Sequence, residues 1–373
     1  MTEKVDVVVV GAGVVVLAVA RKLALAGLEV VLLEASSAIG TETSSHNSGV
    51  IHAGFYYSYD SLKARLCVRG KKLLYEYCEQ HSVPHQRIGK LIVATSESQQ
   101  STLEKLARQA KANGVGDLER LNAAEVKQME PNISAVSALY SRSTGIVDSA
   151  ALMLSYQGDL EAASGILALN APANGVQVTA SGFRIDIGGG NPMLLNTKLL
   201  VNSTGLHMVE TLKNIGGFPH EHIPTLRYAK GNYFSLSGRS PFSHLIYPIP
   251  EKAGLGIHAT LDLAGQVRFG PDVEWVDQPD YRVSAERLDT FYEAISTYFP
   301  SIDRSRLSAD YAGVRPKLSA PNEAASDFLI QCEATHGIAG MINLMGIESP
   351  GLSSSLAIDC GEVHGNIDDK KST

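Results

Sequence analysis

The sequence predicts an α/β protein built from two intertwined domains, and three observations support this. The chain has 373 residues, which is long for a single hydrophobic core. Strand, glycine turn, helix and strand patterns follow one another over residues 5–35. Short strand patterns separated by turns dominate residues 165–200 and 226–275. We therefore expect one domain with a parallel sheet and an antiparallel meander, and an α+β domain with a mainly antiparallel sheet.

The first elements form a βαβ unit. The run "VDVVVV" is typical of a central strand buried on both faces. After "GAG", apolar residues recur at helical spacing in "VVVLAVARKLALAG", and Gly27 stops the helix. "LEVVLLEA" is a second buried strand. The two strands should be parallel and the connection right-handed.

The later elements follow from the same periodicities. Helices are predicted at 61–82, 97–114, 149–164 and 284–299, and strands at 90–95, 198–203, 309–318 and 327–331. Residues 340–347 should lead into a last helix, with Ser349 as its cap and Pro350 in its first turn. We expect residues 367–373 to form a frayed tail.

Composition excludes several classes of protein. The net charge of -7 argues against a nucleic-acid-binding surface, which needs a basic patch. The four cysteines, among them Cys360, show no metal-finger spacing, so we expect reduced thiols and no metal site. Glu3, Asp6 and two glycines interrupt the apolar N-terminal run, which is unlike a signal peptide and short for a membrane span. We therefore expect a cytoplasmic protein without a transmembrane segment; association with a membrane surface stays compatible with this.

The first βαβ unit carries the pattern of a dinucleotide site. Gly11 permits the tight turn, and Gly13 lets the backbone approach a pyrophosphate placed at the helix N-terminus. Glu34 ends the second strand, where a carboxylate accepts hydrogen bonds from ribose hydroxyls and repels a 2′-phosphate. Val16 stands where the pattern has a third small residue, so we expect it to weaken cofactor affinity.

Longer blocks resemble one family across almost the whole chain. They are "LEASSAIGTETSSHNSGVIHAGFYY", "SLKARLCVRG", "GKLIVAT", "TGIVDSAALM", "KGNYF", "LIYPIPE", "GLGIHATLDLAGQVRFGPDVEW", "GVRPKL" and "GIESPGLSSSLAI". These blocks are similar to the FAD-dependent oxidoreductases of the D-amino-acid oxidase superfamily, and within it to the L-2-hydroxyglutarate dehydrogenase/oxidase group. The resemblance implies a Rossmann-type FAD-binding domain formed by 1–80, 141–215 and 325–366. It also implies a substrate-binding domain formed by 81–140 and 216–324.

The resemblance places FAD along the first domain, with its isoalloxazine between the loop "NSGVIHAG" and the turn "GIESPGL". Hydroxyl, amide and backbone N–H groups of an irregular segment can point together at one ligand. The cofactor-binding residues implied are Gly11, Gly13, Val14, Glu34, Ala35, Thr43, Ser44, Ser45, Asn47, Ser48, Gly49, Val50, Ser203, Thr204, Gly205, Gly346, Ile347, Glu348, Ser349, Gly351 and Leu352.

The same resemblance implies oxidation of an L-2-hydroxy acid, with L-2-hydroxyglutarate converted to 2-oxoglutarate. Hydride would pass from C2 to flavin N5, and a histidine would take the hydroxyl proton. His52 is the first candidate for this base and His258 the rival. Arg315 is the candidate cation for the substrate carboxylate, with Lys317 as a helper. The candidates for substrate hydrogen bonds are Tyr57 and Tyr247.

Alternatives stay open at the level of sequence. A relative acting on an amino acid or on glycerol 3-phosphate fits the same pattern, and so does a flavin-binding protein without turnover. Oxygen, a quinone or a carrier protein could accept the electrons.

Overall fold

The structure is a computed structural model that describes residues 3–249 and 256–358. Cys360 and the predicted tail 367–373 lie outside the described residues. The strands are β1 (Glu3–Val10), β2 (Val30–Leu33), β3 (Val50–Ile51), β4 (His85–Gln86), β5 (Lys90–Ala94), β6 (Leu118–Asn122), β7 (Ser137–Ser141), β8 (Gly145–Val147), β9 (Ile166–Ala168), β10 (Ala173–Thr179), β11 (Gly182–Ile187), β12 (Met193–Asn202), β13 (Ile215–Gly216), β14 (Arg227–Leu236), β15 (Leu245–Pro248), β16 (Ala259–Leu261), β17 (Val267–Phe269), β18 (Glu274–Val276), β19 (Leu307–Lys317), β20 (Leu329–Gln331) and β21 (Met341–Met345). The helices are α1 (Val14–Leu25), α2 (Leu62–Gln80), α3 (Gln100–Ala112), α4 (Ala123–Met129), α5 (Ser149–Ala162), α6 (Met208–Lys213), α7 (Leu288–Ser296), α8 (Glu333–His336) and α9 (Gly351–Ser354).

The first sheet has the strand order β13-β10-β11-β12-β1-β2-β9, and β21 and β20 join it at β12. Its centre is parallel, because β1 pairs in parallel with both β12 and β2, and β2 with β9. The antiparallel meander is β10-β11-β12. Val7 and Val9 belong to the core on the α1 side, whereas Val8 and Val10 belong to the core on the other side. The run of valines is therefore buried on both faces, as the sequence predicts.

The second sheet has the order β18-β14-β17-β16-β15-β5-β7-β6, with β19 also paired to β14. Its described pairs are antiparallel apart from β5 and β15. A second core lies on this sheet and includes Phe234, Phe269 and Phe291 of β14, β17 and α7. A small third sheet, β3-β8-β4, carries the start of the segment that contains His52.

The α/β prediction is confirmed, with a first sheet that is parallel at its centre and a mainly antiparallel second sheet. Most strands of the proposed first domain lie in the first and third sheets, and the strands at 90–141 and 227–317 form the second. The exact division into domains stays a prediction. Among the described helices, none combines the length and apolar character needed to cross a bilayer.

The predicted cap of the last helix is wrong. The helix α9 begins at Gly351, its N-cap is Pro350, and it spans four residues. Pro350 precedes the helix because the chain there is still in a turn, with backbone φ of -101° and ψ of 42°. The hydroxyl of Ser349 therefore does not cap α9, and it makes a different contact in the candidate active site.

Candidate active site

A cavity of about 1240 Å³ runs along the junction of the first and second sheets. The turns after β1 and β2 line one part of it, and β19 and the 346–352 turn line another. Ligand pockets for drug-sized molecules span roughly 300–1,000 Å³. This cavity is large enough for an extended dinucleotide together with a small substrate.

The turn after β1 is shaped by two glycines. Gly11 has φ +101°, and a Cβ there would lie 2.8 Å from the carbonyl oxygen of Ser203. A Cβ at Gly13 would lie 2.9 Å from Oγ of Ser44. The N–H of Val14 donates to the same Oγ at 3.0 Å. Only glycine permits this close approach of three chain segments, so the first turn of α1 opens onto the cavity.

Glu34 is held rigidly at the end of β2. Its two carboxylate oxygens accept hydrogen bonds from Ala12 N at 2.7 Å and Ser36 N at 2.8 Å. Glu34 and the neighbouring Ala35 both line the cavity. Each oxygen of a carboxylate can accept a second hydrogen bond, so Glu34 can also receive a ribose hydroxyl.

The irregular segment 41–52 is tied to the second sheet by its polar groups. Tyr311 donates its hydroxyl to the carbonyl of Asn47 at 2.7 Å, and Thr43 donates to the carbonyl of Val314 at 2.9 Å. The hydroxyls of Ser48 and Tyr233 lie 2.8 Å apart. These contacts hold the segment across the cavity wall, which explains its dense hydrogen-bonding chemistry.

Two of the predicted cofactor contacts are not supported. Ser45 and Gly49 do not line the cavity, unlike the other predicted residues of this segment. The hydroxyl of Ser45 donates to the carbonyl of Glu42. Gly49 has φ +62°, and a Cβ there would lie 2.8 Å from the carbonyl oxygen of Val147. Both residues shape the loop instead of facing the cavity.

The early histidine segment and the late turn meet, as the sequence predicts. The backbone N–H of His52 donates to Ser353 Oγ at 2.8 Å, and Nε2 of His52 lies 3.3 Å from Ser349 Oγ. The other residues predicted to contact the cofactor here and after β12 all line the cavity: Val50, Ser203, Thr204, Gly205, Gly346, Ile347, Glu348, Gly351 and Leu352. The dinucleotide end and the histidine end thus belong to one continuous space that fits FAD.

Both candidate bases face this cavity. His258 stacks on Tyr247 with ring centroids 3.6 Å apart and planes inclined by 13°. Burial lowers the pKa of His52 well below its usual value, and the charges of Lys90 and His258 lower it further. Burial also lowers the pKa of His258, with Lys90 and Arg315 adding to the effect. Both imidazoles are therefore neutral near pH 7 and able to accept a proton.

Arg315 lies near the end of β19 and lines the cavity. One of its amino groups donates to the carbonyl of Asp272 at 3.1 Å. Tyr57 and Tyr247 line the same space, and burial raises the pKa of each hydroxyl well above its usual value. These tyrosines are therefore protonated hydrogen-bond donors.

Lys317 has a partner that the sequence did not predict. Its ammonium donates to Oε1 of Glu348 at 2.6 Å, and Lys63 donates to the same oxygen at 3.1 Å. Burial alone would raise the pKa of Glu348, but the charges of Lys63 and Lys317 outweigh it and hold the pKa below its usual value. The sequence predicts that Glu348 contacts the cofactor and that Lys317 contacts the substrate. Both residues line the cavity, where they form an ion pair with each other.

Sequence reasoning assigned no role to three residues that the structure places here. Lys63 and Tyr233 line the cavity, and Lys90 lies buried behind it. Lys90 opens the strand pattern "KLIVAT", and a lysine at the start of a strand is ordinarily solvated. Its burial follows from β7 and β15 on either side of β5, a tertiary arrangement without a local signal.

Comparisons with known proteins agree with this geometry. A family model described as "FAD dependent oxidoreductase" matches residues 6–362. The mitochondrial L-2-hydroxyglutarate dehydrogenase of Arabidopsis thaliana is 43% identical, covering 95% of this chain and 82% of its own length. The glycerol 3-phosphate dehydrogenase of Caloramator mitchellensis is 31% identical, covering 95% and 72%.

Solved structures share the fold. The L-alpha-glycerophosphate oxidase of Mycoplasma pneumoniae, with FAD bound, superposes with a TM-score of 0.84 at 23% identity over 95% of this chain and 93% of that one. Glycine oxidase of Geobacillus kaustophilus gives a TM-score of 0.77 at 19% identity over 95% and 92%.

Proposed function

The chain belongs to the family of FAD-dependent oxidoreductases, and on that premise we propose that it oxidises L-2-hydroxyglutarate to 2-oxoglutarate. One observation carries the proposal: Arg315 lines the same cavity as His52 and His258. A 2-hydroxy acid needs a fixed cation for its carboxylate and a proton acceptor for its hydroxyl. The 43% identity to the A. thaliana L-2-hydroxyglutarate dehydrogenase supports this particular acid.

Arg315 would bind the carboxylate next to C2. A guanidinium presents two parallel N–H groups to two carboxylate oxygens. The hydrogen bond to the Asp272 carbonyl restricts its rotation. In the same cavity lining, Lys63 and Lys317 both pair with the single carboxylate of Glu348. The three side chains together carry one net positive charge, which attracts an anionic substrate.

His52 would accept the hydroxyl proton, and His258 is the second candidate. Both are neutral before the substrate arrives, because burial lowers the pKa of each. Two substrate carboxylates add negative charge beside the imidazoles and raise their pKa. Substrate binding would thus convert a weak base into a stronger one at the moment it is needed.

FAD, when bound, supplies the acceptor for the hydride that leaves C2. The first turn of α1 would hold its pyrophosphate and Glu34 its ribose. Tyr57 and Tyr247 would donate hydrogen bonds to the substrate, since both hydroxyls are protonated.

A second candidate substrate is glycerol 3-phosphate, favoured by the 31% identity to the dehydrogenase of C. mitchellensis. Arg315 can bind a phosphate as well as a carboxylate. We place the enzyme in the cytoplasm, which suits its ordinary acidic charge balance. As electron acceptors we retain oxygen, a quinone and a carrier protein, to be separated by the rate of reoxidation with each.

The test is anaerobic mixing of the purified yellow protein with L-2-hydroxyglutarate, D-2-hydroxyglutarate or glycerol 3-phosphate. We expect the visible flavin band to bleach with the L acid alone. Bleaching by glycerol 3-phosphate alone would transfer the assignment to the second candidate. A yellow protein that no hydroxy acid, amino acid or polyol phosphate bleaches would indicate flavin binding without turnover.

A further inference from the structure

Lys90 is a buried lysine that no step of the proposed reaction uses. Its side chain is fully buried, on β5 between β7 and β15. Its Nζ atom has no hydrogen-bond partner within residues 3–249 and 256–358. Burying an ammonium group without a partner costs folding free energy. Packing alone therefore does not account for a lysine here, where leucine or methionine would be more stable.

Aromatic rings surround the ammonium group. Nζ of Lys90 lies 3.9 Å from the ring centroid of Tyr247, 5.5 Å from that of Phe55 and 5.6 Å from that of Tyr56. Ring faces attract a cation, most strongly when water is excluded. The contact with Tyr247 is the closest of the three, so Tyr247 is the ring through which Lys90 contacts the rest of the site.

Tyr247 connects Lys90 to the cavity. The ring of His258 stacks on Tyr247 at 3.6 Å. An ammonium at 3.9 Å and an imidazole at 3.6 Å cannot share one ring face, so they occupy opposite faces. Lys90, Tyr247 and His258 form a column whose histidine end lines the cavity and whose lysine end is closed.

The described groups around Lys90 do not neutralise its charge, so that charge can affect the pKa of the histidines. Among the residues that the structure describes, the titratable groups facing it are Tyr247, Tyr56, His52, His258 and the thiol of Cys67 on α2. None of these is a carboxylate. Burial lowers the pKa of Lys90 to about 7, with Cys67 acting in the opposite direction. A positive charge at this place lowers the pKa of both His52 and His258.

We propose that Lys90 is a positioning residue for the proton-accepting histidines. From the closed side of Tyr247 it holds that ring against His258, and its charge opposes protonation of His258 and His52. This inference rests on the proposed function, because it takes the histidines to be the proton acceptors. It adds a residue that touches neither cofactor nor substrate.

The test replaces Lys90 by methionine, which has similar length and no charge. Holoprotein labelled with ¹⁵N-histidine is titrated without substrate, and His52→Asn and His258→Asn assign the two signals. Removing a nearby cation favours the protonated imidazole, so K90M should titrate both histidines about one pH unit higher than the unmodified protein. Lys71→Met is the matched control, because the Lys71 ammonium is partly buried but donates to Ser143 Oγ. Unmoved histidine signals in K90M would overturn the proposal.

The pH dependence of anaerobic flavin reduction gives a second readout. The pKa on the acidic side of the kcat/KM profile should rise by about one pH unit in K90M. At pH values below that pKa, kcat/KM should therefore fall about tenfold. Lys90→Arg keeps the charge and should restore that pKa, whereas K71M should leave it unchanged. Lys90→Gln is the second neutral variant if K90M does not fold.

Stability separates this role from a structural one. K90M should unfold at the same or a higher temperature, because it removes an unpartnered buried charge. A lower unfolding temperature combined with unmoved titration would identify a structural residue and overturn the proposal. If L-2-hydroxyglutarate never reduces the unmodified holoprotein, the proposed function fails, while the histidine titration still tests Lys90.

Discussion

Oγ of Ser349 lies 3.3 Å from Nε2 of His52, although the two residues are 297 positions apart in the chain. The backbone N–H of His52 donates to Ser353 on the same late segment. The turn before α9 thus contacts the side chain of His52, and α9 itself binds the backbone N–H of His52. This relationship fixes the orientation of the imidazole at the cavity wall.

Ser349→Ala removes the hydroxyl beside His52. We expect kcat for L-2-hydroxyglutarate to fall about fivefold, since a hydrogen bond of this kind contributes about 1 kcal/mol. KM and FAD content should change little, as measured by steady-state kinetics and flavin absorbance per protein. Ser349→Thr keeps the hydroxyl and should retain most of kcat. Equal losses in both variants would contradict a positioning role for the hydroxyl.

His52→Ala removes the first candidate for the base. Flavin should stay bound, and stopped-flow reduction by L-2-hydroxyglutarate should slow by about 10²–10⁴-fold, the usual contribution of general base catalysis. His85→Ala is the control, because His85 contacts the carbonyl of Val83 and does not line the cavity. Rapid reduction in H52A together with slow reduction in His258→Ala would give the role to His258.

Arg315→Lys keeps a positive charge but loses the planar fork. The apparent Kd for L-2-hydroxyglutarate should rise about tenfold in this variant and about 100-fold in Arg315→Met, because hydrogen bonds to a carboxylate contribute about 1.5–3 kcal/mol. Titration of the flavin spectrum with a non-reacting dicarboxylate measures the effect. The control Arg304→Met removes an exposed arginine paired with Asp289. Unchanged affinity in R315M would place the carboxylate elsewhere.

Val16→Ala tests the departure from the glycine pattern. Val16 is buried and lines the cavity at the first turn of α1, at the position where a small residue lets the helix pack closely on the strand. We expect V16A to bind FAD about threefold more tightly (an effect of order 0.6 kcal/mol), measured by flavin fluorescence on adding FAD to apoprotein. Val19→Ala is the matched control. It removes the same two methyl groups from a buried position of the same helix away from the cavity. Identical affinities in V16A and V19A would show that Val16 is not the limiting contact.

The dinucleotide half of the site was predictable because its geometry is local. Gly11, Gly13 and Glu34 lie within one βαβ unit, and the strand and helix patterns on either side place them at one edge of the sheet. The structure finds all three on the cavity. The conformational limits of glycine and the direction of a parallel strand act over a few residues, so a short pattern carries them.

Local patterns failed where a residue's partner is distant. Ser349 matches a helix cap by type and position, yet α9 begins later and its hydroxyl contacts His52. The role of Lys317 at the substrate stays a prediction, but its pairing with Glu348 had no local signal. Several partners compete for one polar group, and only packing decides which comes within hydrogen-bond distance.

The sequence by itself determined the α/β class, the βαβ unit with its dinucleotide pattern, and the segments that carry the candidate histidines and arginine. Hydrophobic periodicity and backbone preference are properties of neighbouring residues, so they can be read along the chain. Only the tertiary structure decided that His52 meets Ser349, that Arg315 and His258 face one cavity, and that Lys90 is buried behind Tyr247. Those contacts depend on how two sheets pack against each other, and burial is what sets the charge state of the groups between them.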